Sequence, residues 1–249
     1  MTTKEISIQI GGMSQSGSTL LYNIVRLLLD MSSVHSSDCT HRIHKEHCRE
    51  PHFDYYLVAV RDLRDVAVSW ILKNPKMAIL SSDVSLEPGF VGNSDAPDCA
   101  QSLDMGEISL LVTKNIMWLE NFEKHPERTA KNTFFWRYEG YKANPIKSTQ
   151  ALVTFLNLPR ELYSLQILEK IINEAEGLID KAPAKFEEMT PEEAAWNAKT
   201  KLLANNRTTN RGRTGHWEEF LPPRLIGILT ILMAGFLMKY GYASALENK

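Results

Sequence analysis

The residues best suited to chemistry lie in one glycine- and serine-rich stretch near the amino terminus. It reads Gly12-Met13-Ser14-Gln15-Ser16-Gly17-Ser18-Thr19, and its glycines have the G-x4-G spacing of a phosphate-binding loop. Backbone N–H groups of such a turn point inward, and the dipole of the following helix favours an anion. Ser18 stands where a Walker lysine would be, which disfavours an ordinary ATP or GTP phosphotransferase. Taken alone, the stretch also fits a strand-to-helix turn capped by serines.

Strand and helix patterns flank this loop and recur along the chain. Ile6, Ile8 and Ile10 alternate with polar residues as in a short strand, and leucines then recur at helical spacing up to Asp30. Residues 55–60 have the length and β-branched content of a buried strand, and a helix follows them. Further patterns predict a strand over 133–138, helices over 108–122 and 145–156, a charged helical stretch to about 203 and a closing helix from about 222.

Strands that alternate with helices predict an α/β fold, with three layers and a mostly parallel central sheet flanked by helices. Residues 74–105 are rich in Pro, Gly, Ser and Asp and have weak periodicity. They predict a long surface insertion, and such insertions often serve as functional lids.

The composition is that of an ordinary globular protein. The 249 residues are 43% hydrophobic and 23% charged, with a formal charge of −2. This balance excludes a bulk positive field that would collect nucleic acid or anionic lipid, so a polyanion would need a local pocket. The amino terminus lacks a signal-peptide pattern, no apolar run reaches about 20 residues, and three cysteines are a sparse set. We therefore expect a cytoplasmic protein without a nucleic-acid or membrane partner.

Four blocks of the sequence, in order, resemble those of the sulfotransferase family. They are Ser16-Gly17-Ser18-Thr19-Leu20-Leu21 after a strand, Arg61-Asp62-Leu63-Arg64-Asp65-Val66-Ala67-Val68-Ser69, Phe135-Trp136-Arg137-Tyr138-Glu139 with Asn144-Pro145, and Arg211-Gly212-Arg213-Thr214-Gly215-His216-Trp217. Tyr240-Gly241-Tyr242 near the end of the chain is also similar to the family. The resemblance implies a single sulfotransferase domain over residues 1–249 with a P-loop-NTPase-like fold.

The resemblance also implies an activity and its ligands. The family moves a sulfuryl group from 3′-phosphoadenosine 5′-phosphosulfate (PAPS) to an alcohol or amine and releases 3′,5′-ADP, and we expect no metal. The 5′-phosphosulfate would lie on the loop, at Ser14, Gln15, Ser16, Gly17, Ser18 and Thr19. The 3′-phosphate would be held by Arg61, Ser69, Arg211, Gly212 and Arg213, because the guanidinium fork matches a phosphate. Tyr138 would contact the adenine. Structural roles are the alternatives: Arg61 could form a surface ion pair, and Tyr138 could belong to the core.

The loop departs from the family pattern at Gln15. Many members carry lysine or arginine there, which neutralises the leaving phosphate oxygen, whereas glutamine donates a hydrogen bond without charge. A charged donor contributes roughly twice as much as a neutral one. Arg42, Lys45 and Arg213 are the candidates to supply the missing charge; otherwise the enzyme is slow or acts on a reactive acceptor.

A histidine-rich segment precedes the Arg61 block. Histidine suits the removal of a proton from an attacking hydroxyl at neutral pH, and His41 lies at about the family's distance for a catalytic base. Glu46 or Glu50 is an alternative base. On a helix His41, His44 and Cys48 would share a face, which suggests a zinc site, but no second pair of ligands with metal spacing follows.

Two other functions stay open on the sequence alone. A degenerate nucleotide-binding module would keep the donor loop without chemistry, and Gln15 favours it. A small-molecule kinase is disfavoured by the missing Walker lysine. The leading hypothesis is in-line sulfuryl transfer to a small-molecule acceptor, such as a secondary metabolite, with residues 74–105 and 178–206 covering the acceptor.

Overall fold

The computed structural model describes residues 4–35, 39–45, 53–73, 105–182, 189–202 and 212–242. The strands are β1 (Lys4–Gly12), β2 (Cys39–Lys45), β3 (Tyr55–Val60) and β4 (Thr133–Arg137). The helices are α1 (Ser18–His35), α2 (Leu63–Lys73), α3 (Met105–Glu123), α4 (Tyr138–Ala143), α5 (Pro145–Phe155), α6 (Leu165–Gly177), α7 (Pro191–Thr200), α8 (Trp217–Phe220), α9 (Pro223–Leu232) and α10 (Ala234–Lys239). Short 3-10 helices lie at Arg160–Leu162 and Leu178–Lys181.

The chain divides into two compact units. Unit 1 comprises residues 1–61 and 122–207, and unit 2 comprises residues 62–121 and 208–249. Unit 1 contains the four described strands with α1 and α4 to α7, and unit 2 contains α2, α8 to α10 and nearly all of α3. The boundary of one domain over residues 1–249 stays a prediction.

The sheet of unit 1 is parallel, with the strand order β2-β1-β3-β4. Ile10 of β1 pairs with Lys45 on one side and with Leu57 on the other. Because the strands run in one direction, the residues that follow β1, β2 and β3 lie at the same edge of the sheet. In open parallel sheets this carboxyl edge is the place where ligands bind.

The core of unit 1 explains why its central strands are so apolar. Ile8 and Ile10 of β1 are buried, and residues 56–60 of β3 are buried on both faces. Parallel strands covered on both faces read as continuous apolar runs. α1 packs against β1, β2 and β3 as well as against α5 and α6, and its Leu21, Ile24 and Leu28 are fully buried. Each such side chain contributes about 1.5–3 kcal/mol.

Three helices of unit 1 begin where their sequences supply caps. The Asn144 side chain accepts from the Lys147 N–H at 2.9 Å, and Pro145 follows as the first residue of α5. Ser164 caps α6 in the same way. Thr190 and Glu193 form a reciprocal capping box at the start of α7. These caps place the helix starts at polar residues that the sequence already carries.

Unit 2 is helical in its described part. α2 packs against α8 and α9. Its buried side chains include Leu63, Val66 and Ala67 on α2 and Leu225 and Leu229 on α9. α9 and α10 are separate helices that meet at Met233, where the sequence pattern predicts one closing helix.

The α/β class and the parallel sheet predicted from the sequence are confirmed. One strand, β2, was not predicted, and the zinc hypothesis assumed a helix over the same residues. Of the predicted insertion over residues 74–105, all but Met105, the first residue of α3, lies outside the described residues. Within the described ranges, no helix combines the length and the apolarity that crossing a bilayer requires.

Candidate functional site

The glycine- and serine-rich loop lies at the carboxyl edge of the sheet. β1 ends at Gly12, and α1 begins at Ser18. The Met13 N–H donates to the Ala59 carbonyl at 3.3 Å, which ties the start of the loop to the end of β3. A Cβ on Gly12 would lie 2.7 Å from that same carbonyl oxygen, so only glycine allows this approach.

The loop is shaped by its own hydrogen bonds. Both the N–H and the hydroxyl of Ser16 donate to the Met13 carbonyl, at 3.2 and 2.7 Å. Ser16 is therefore buried and closes the turn from inside. Gln15 and Gly17 adopt positive φ angles of 59° and 87°. These angles bend the backbone so that the loop leads into the first turn of α1, whose N–H groups have no partners within the helix.

Tyr138 lies directly beneath Gly17. It begins α4 immediately after β4 and is buried. A Cβ on Gly17 would lie 2.6 Å from Cδ2 of the Tyr138 ring, so this pair packs as closely as glycine permits. The sequence singled out both residues, and the structure brings them together.

Arg61 completes this cluster from the end of β3. Its Nη1 donates to the Gln15 carbonyl at 3.2 Å, and its guanidinium carbon lies 4.8 Å from the centre of the Tyr138 ring. Only 4% of Arg61 is exposed. Arg61 therefore does not lie at the surface, as the ion-pair alternative assumed. A buried guanidinium that contacts the Gln15 carbonyl and the Tyr138 ring is positioned to attract an anion at the loop.

Lys45 brings a second cation to the loop. It is the last residue of β2, and its ammonium group donates a hydrogen bond to the Thr19 hydroxyl. Burial, reinforced by the positive charge of Lys201, lowers the pKa of Lys45 to about 8. Of the three cations named as substitutes for a charge at Gln15, Lys45 is thus the one that contacts the loop within unit 1. Arg42, three residues earlier in β2, is exposed.

Asn23 links the loop to the end of α7, a connection that the sequence did not predict. The Asn23 side-chain amide donates to the carbonyls of Thr19 and Thr200, at 2.9 and 2.8 Å. Lys201 follows Thr200 in a left-handed conformation with a φ of 54°. The positive charge near the loop therefore comes from three separate segments, of which only Arg61 and Lys45 were named from the sequence.

His41 lies further from the loop along β2. Its backbone pairs with Ile6, whereas Lys45 pairs with Ile10. Four residues of a strand span about 13 Å. His41 therefore lies toward the amino end of the sheet, and its side chain is outside the described part. Glu46, Glu50 and Cys48 also lie outside the described residues.

The remaining predicted ligands belong to unit 2. Ser69 is buried on α2, Gly212 has a φ of 71°, and Arg213 is exposed, whereas Arg211 lies outside the described residues. The Asp65 carboxylate, one turn before Ser69, accepts from the N–H groups of Gly215 and Trp217 at 2.8 and 3.2 Å. The predicted basic glycine loop is thus attached to the helix that carries Ser69. Asp65 lies in the Arg61 block of the sequence, but the sequence pattern predicts no function for it.

Among the described side chains, no three of the types His, Cys, Asp and Glu come together as a metal site would require. The chemistry on offer is instead the binding of an anion. Residues 12–19 supply backbone N–H groups and hydroxyls, and two cations, Lys45 and Arg61, contact this loop. Such a site holds a phosphate or sulfate group by hydrogen bonds and charge.

Comparisons with known proteins give a family and a fold. Residues 55–234 match the sulfotransferase domain family. The mouse sulfotransferase SULT7A1 complexed with PAP superimposes with a TM-score of 0.54 at 13% identity, over 99% of this chain and 88% of that chain. Retinol dehydratase in complex with androsterone and the inactive cofactor PAP gives a TM-score of 0.51 at 13% identity, over 93% and 80%. No curated protein matches the sequence significantly.

Proposed function

Because the chain belongs to the sulfotransferase family, we propose that it moves a sulfuryl group from PAPS to a hydroxyl or amine of a small-molecule acceptor. The observation that carries the proposal is the placement of two cations on the glycine loop, Lys45 at Thr19 and Arg61 at Gln15. A loop without the Walker lysine thereby regains positive charge from its neighbours. PAPS and its product 3′,5′-ADP are anions that need such a cradle.

The loop would hold the 5′-phosphosulfate of the donor. Backbone N–H groups and the hydroxyls of Ser18 and Thr19 would donate to its oxygens, with Ser14 and Gln15 beside them. Lys45 would balance the negative charge that develops on the leaving phosphate oxygen. In an in-line transfer the bond from the acceptor oxygen to sulfur forms as the bond from sulfur to the phosphate oxygen breaks. Charge stabilisation and positioning supply most of the rate.

The other end of the donor is assigned by resemblance. Ser69, Arg211, Gly212 and Arg213 are the proposed ligands of the 3′-phosphate, together with Arg61. Tyr138 is proposed to contact the adenine. Its ring already supports Gly17 and the Arg61 guanidinium, so a loss of this ring would disturb the loop as well as the base contact.

The acceptor is proposed to be a small hydroxylated molecule, such as a secondary metabolite. Retinol dehydratase, which shares the fold, binds androsterone in its complex with the inactive cofactor PAP. A net charge of −2 does not favour a long anionic polysaccharide. The cytoplasm remains the predicted location.

His41 is the proposed general base, which takes the proton of the acceptor hydroxyl. The experiment that tests the whole proposal measures transfer of labelled sulfate from PAPS to a panel of acceptors, for the wild type and for His41→Ala. We expect transfer by the wild type and a loss of about 100-fold or more in kcat for the variant. Because β2 places His41 some 13 Å before Lys45, the alternative bases are measured beside it as Glu46→Gln and Glu50→Gln.

The outcomes separate the alternatives. Binding of 3′,5′-ADP without transfer to any acceptor identifies the degenerate nucleotide-binding module. Transfer of phosphate from ATP identifies the kinase. Wild-type turnover in His41→Ala with a loss in Glu46→Gln or Glu50→Gln assigns the base to that carboxylate and leaves the proposed activity unchanged.

A further inference from the structure

One face of α2 carries both a predicted phosphate ligand and an anchored loop. Asp65 and Ser69 are four residues apart on this helix, a spacing that puts them on one side. The Asp65 carboxylate binds the Gly215 N–H with one oxygen at 2.8 Å and the Trp217 N–H with the other at 3.2 Å. Both oxygens of this completely buried carboxylate therefore accept hydrogen bonds from the backbone of the loop of residues 212–217.

Arg64 fastens the same loop from the neighbouring position. Its guanidinium lies 3.8 Å from the centre of the Trp217 ring and is paired with Asp62, at 2.6 Å for Nη2 and 2.9 Å for Nε. Nη2 also lies 3.5 Å from the Tyr242 carbonyl. Arg64 and Trp217 are buried, so this stacking is shielded from water and strengthened accordingly.

The loop has little regular structure of its own. Gly212 and Gly215 adopt φ angles of 71° and 74°, and α8 is only four residues long. A Cβ on Gly215 would meet nothing within 4 Å. Steric packing at Gly215 therefore does not hold the loop, and its path is fixed by the bonds to Asp65 together with the stacking of Trp217 on Arg64.

We propose that Asp65 is a positioning residue for donor binding: by holding the loop of residues 212–217 on the Ser69 face of α2, it places the loop's basic residues for the 3′-phosphate. The proposal rests on the proposed function, since it takes PAPS as the donor. Asp65 itself touches no substrate. It fixes the backbone beside Arg213 before the donor binds. The entropy cost of ordering this loop then does not reduce the affinity for the donor.

The test compares two nucleotides that differ in the 3′-phosphate alone. Calorimetry measures the Kd of 3′,5′-ADP and of 5′-AMP for the wild type and for Asp65→Asn, in which one acceptor oxygen becomes an NH2 donor. We expect binding of 3′,5′-ADP to weaken by about tenfold or more, as loss of a hydrogen bond to a charged group implies. The Kd of 5′-AMP should stay within about twofold, and Asp65→Glu, which restores the carboxylate, should recover part of the loss.

Asp54→Asn is the matched control. Asp54 also accepts a backbone N–H, that of Ser7 at 2.7 Å, but at the amino end of β1 and β3. Its variant should bind both nucleotides as the wild type does. Equal weakening of both nucleotides by Asp65→Asn would mean a purely structural role and overturn the proposal, as would unchanged affinity for 3′,5′-ADP. If the wild type binds no 3′,5′-ADP at all, the proposed function fails first.

A measurement on the wild type covers the case in which Asp65→Asn does not fold. Hydrogen exchange of the free protein should show the Gly215 and Trp217 amides protected to a degree similar to the amides of α2. Unprotected exchange at both amides in the free protein would show that Asp65 does not hold the loop before the donor binds, and would overturn the proposal.

Discussion

At the scale of single residues, Lys45 brings to the loop of residues 12–19 a cation that the loop sequence lacks. The loop has glutamine where many sulfotransferases carry a cation, and this substitution suggests a weakened site. The ammonium group of Lys45 reaches the loop from the end of a different strand and contacts the Thr19 hydroxyl. The cation is thus supplied by the fold rather than by the loop sequence. Its partial burial makes the charge more effective and also easier to lose.

The lowered pKa of Lys45 predicts a pH dependence. Burial lowers this pKa from its ordinary value to about 8, so the charged form is lost as pH rises through 8. We expect kcat/KM for PAPS to fall by about tenfold per pH unit above that value, since this parameter reports the free enzyme. In Lys45→Arg, which stays charged, the fall should move upward by more than about one pH unit. Steady-state kinetics between pH 6 and 10 measure both profiles.

The control for this profile is Lys147→Arg, an exposed lysine on α5. Its profile should match that of the wild type. An identical alkaline limb in Lys45→Arg and the wild type would assign the limb to another group and remove Lys45 from the donor site.

Residue identities near the loop were only partly predictable. Arg61 and Tyr138 lie in recognisable sequence blocks, and the structure brings both to the loop. Lys201 carries no local pattern, because the bond from Asn23 to its neighbour Thr200 spans 177 positions and exists only after folding. Asp65 was visible in its block, but nothing in the sequence indicated that its carboxylate would bind the backbone 150 positions away.

At the scale of secondary structure, the loop depends on the elements around it. β1 and β3 hold its start through Met13 and Ala59, and the junction of β4 and α4 supports Gly17 with Tyr138. These elements were largely predictable, since strands covered on both faces are apolar throughout. β2 was missed because its sequence, CTHRIHK, contains Ile43 as its one aliphatic residue. Pairing with β1 makes it a strand, and a pattern within seven residues does not reveal that pairing.

Substitution of Gly17 tests this support. In Gly17→Ala the added methyl group would lie 2.6 Å from the Tyr138 ring, at a φ of 87° that alanine rarely adopts. We expect a loss of about 1–3 kcal/mol in the free energy of unfolding and at least tenfold weaker binding of 3′,5′-ADP. Urea denaturation and calorimetry measure the two effects.

Gly177→Ala is the matched control on α6. A Cβ there meets nothing within 4 Å, and the residue has a helical φ of −69°. Alanine should raise the free energy of unfolding by about 0.5–1 kcal/mol and leave nucleotide binding unchanged. Equal stability of Gly17→Ala and the wild type would show that the loop can move away from Tyr138 without cost.

At the scale of the whole molecule, a nearly neutral chain places several positive charges near one loop. The net charge is −2, yet Lys45, Lys201 and Arg61 come together near one loop. Recognition therefore depends on a local site rather than on the overall field. Composition alone pointed to a local pocket for any polyanion, but it gave no position for that pocket, because composition contains no contacts.

The proposed donor site predicts which nucleotide stabilises the protein. At a concentration 100 times its Kd, 3′,5′-ADP should stabilise the native state by about 2.7 kcal/mol and raise Tm by roughly 5–10 °C. ATP at the same concentration should raise Tm by less than about 1 °C, because the loop lacks the Walker lysine. Thermal melting followed by circular dichroism measures both. A larger shift with ATP would favour the kinase over the sulfotransferase.

The Asn23 amide that joins Thr19 to Thr200 can form both of its hydrogen bonds only late in biosynthesis. Asn23 and Thr200 are separated by 177 positions, so a ribosome needs roughly 10–35 s to add the second after the first. Tyr138, which supports Gly17, likewise emerges long after the loop it contacts. A nascent chain therefore contains the loop sequence well before it contains the residues that support the folded loop. Nucleotide in the cell can assist the last stage of folding but not the first, and chains cut short before β4 should gain no protection from it.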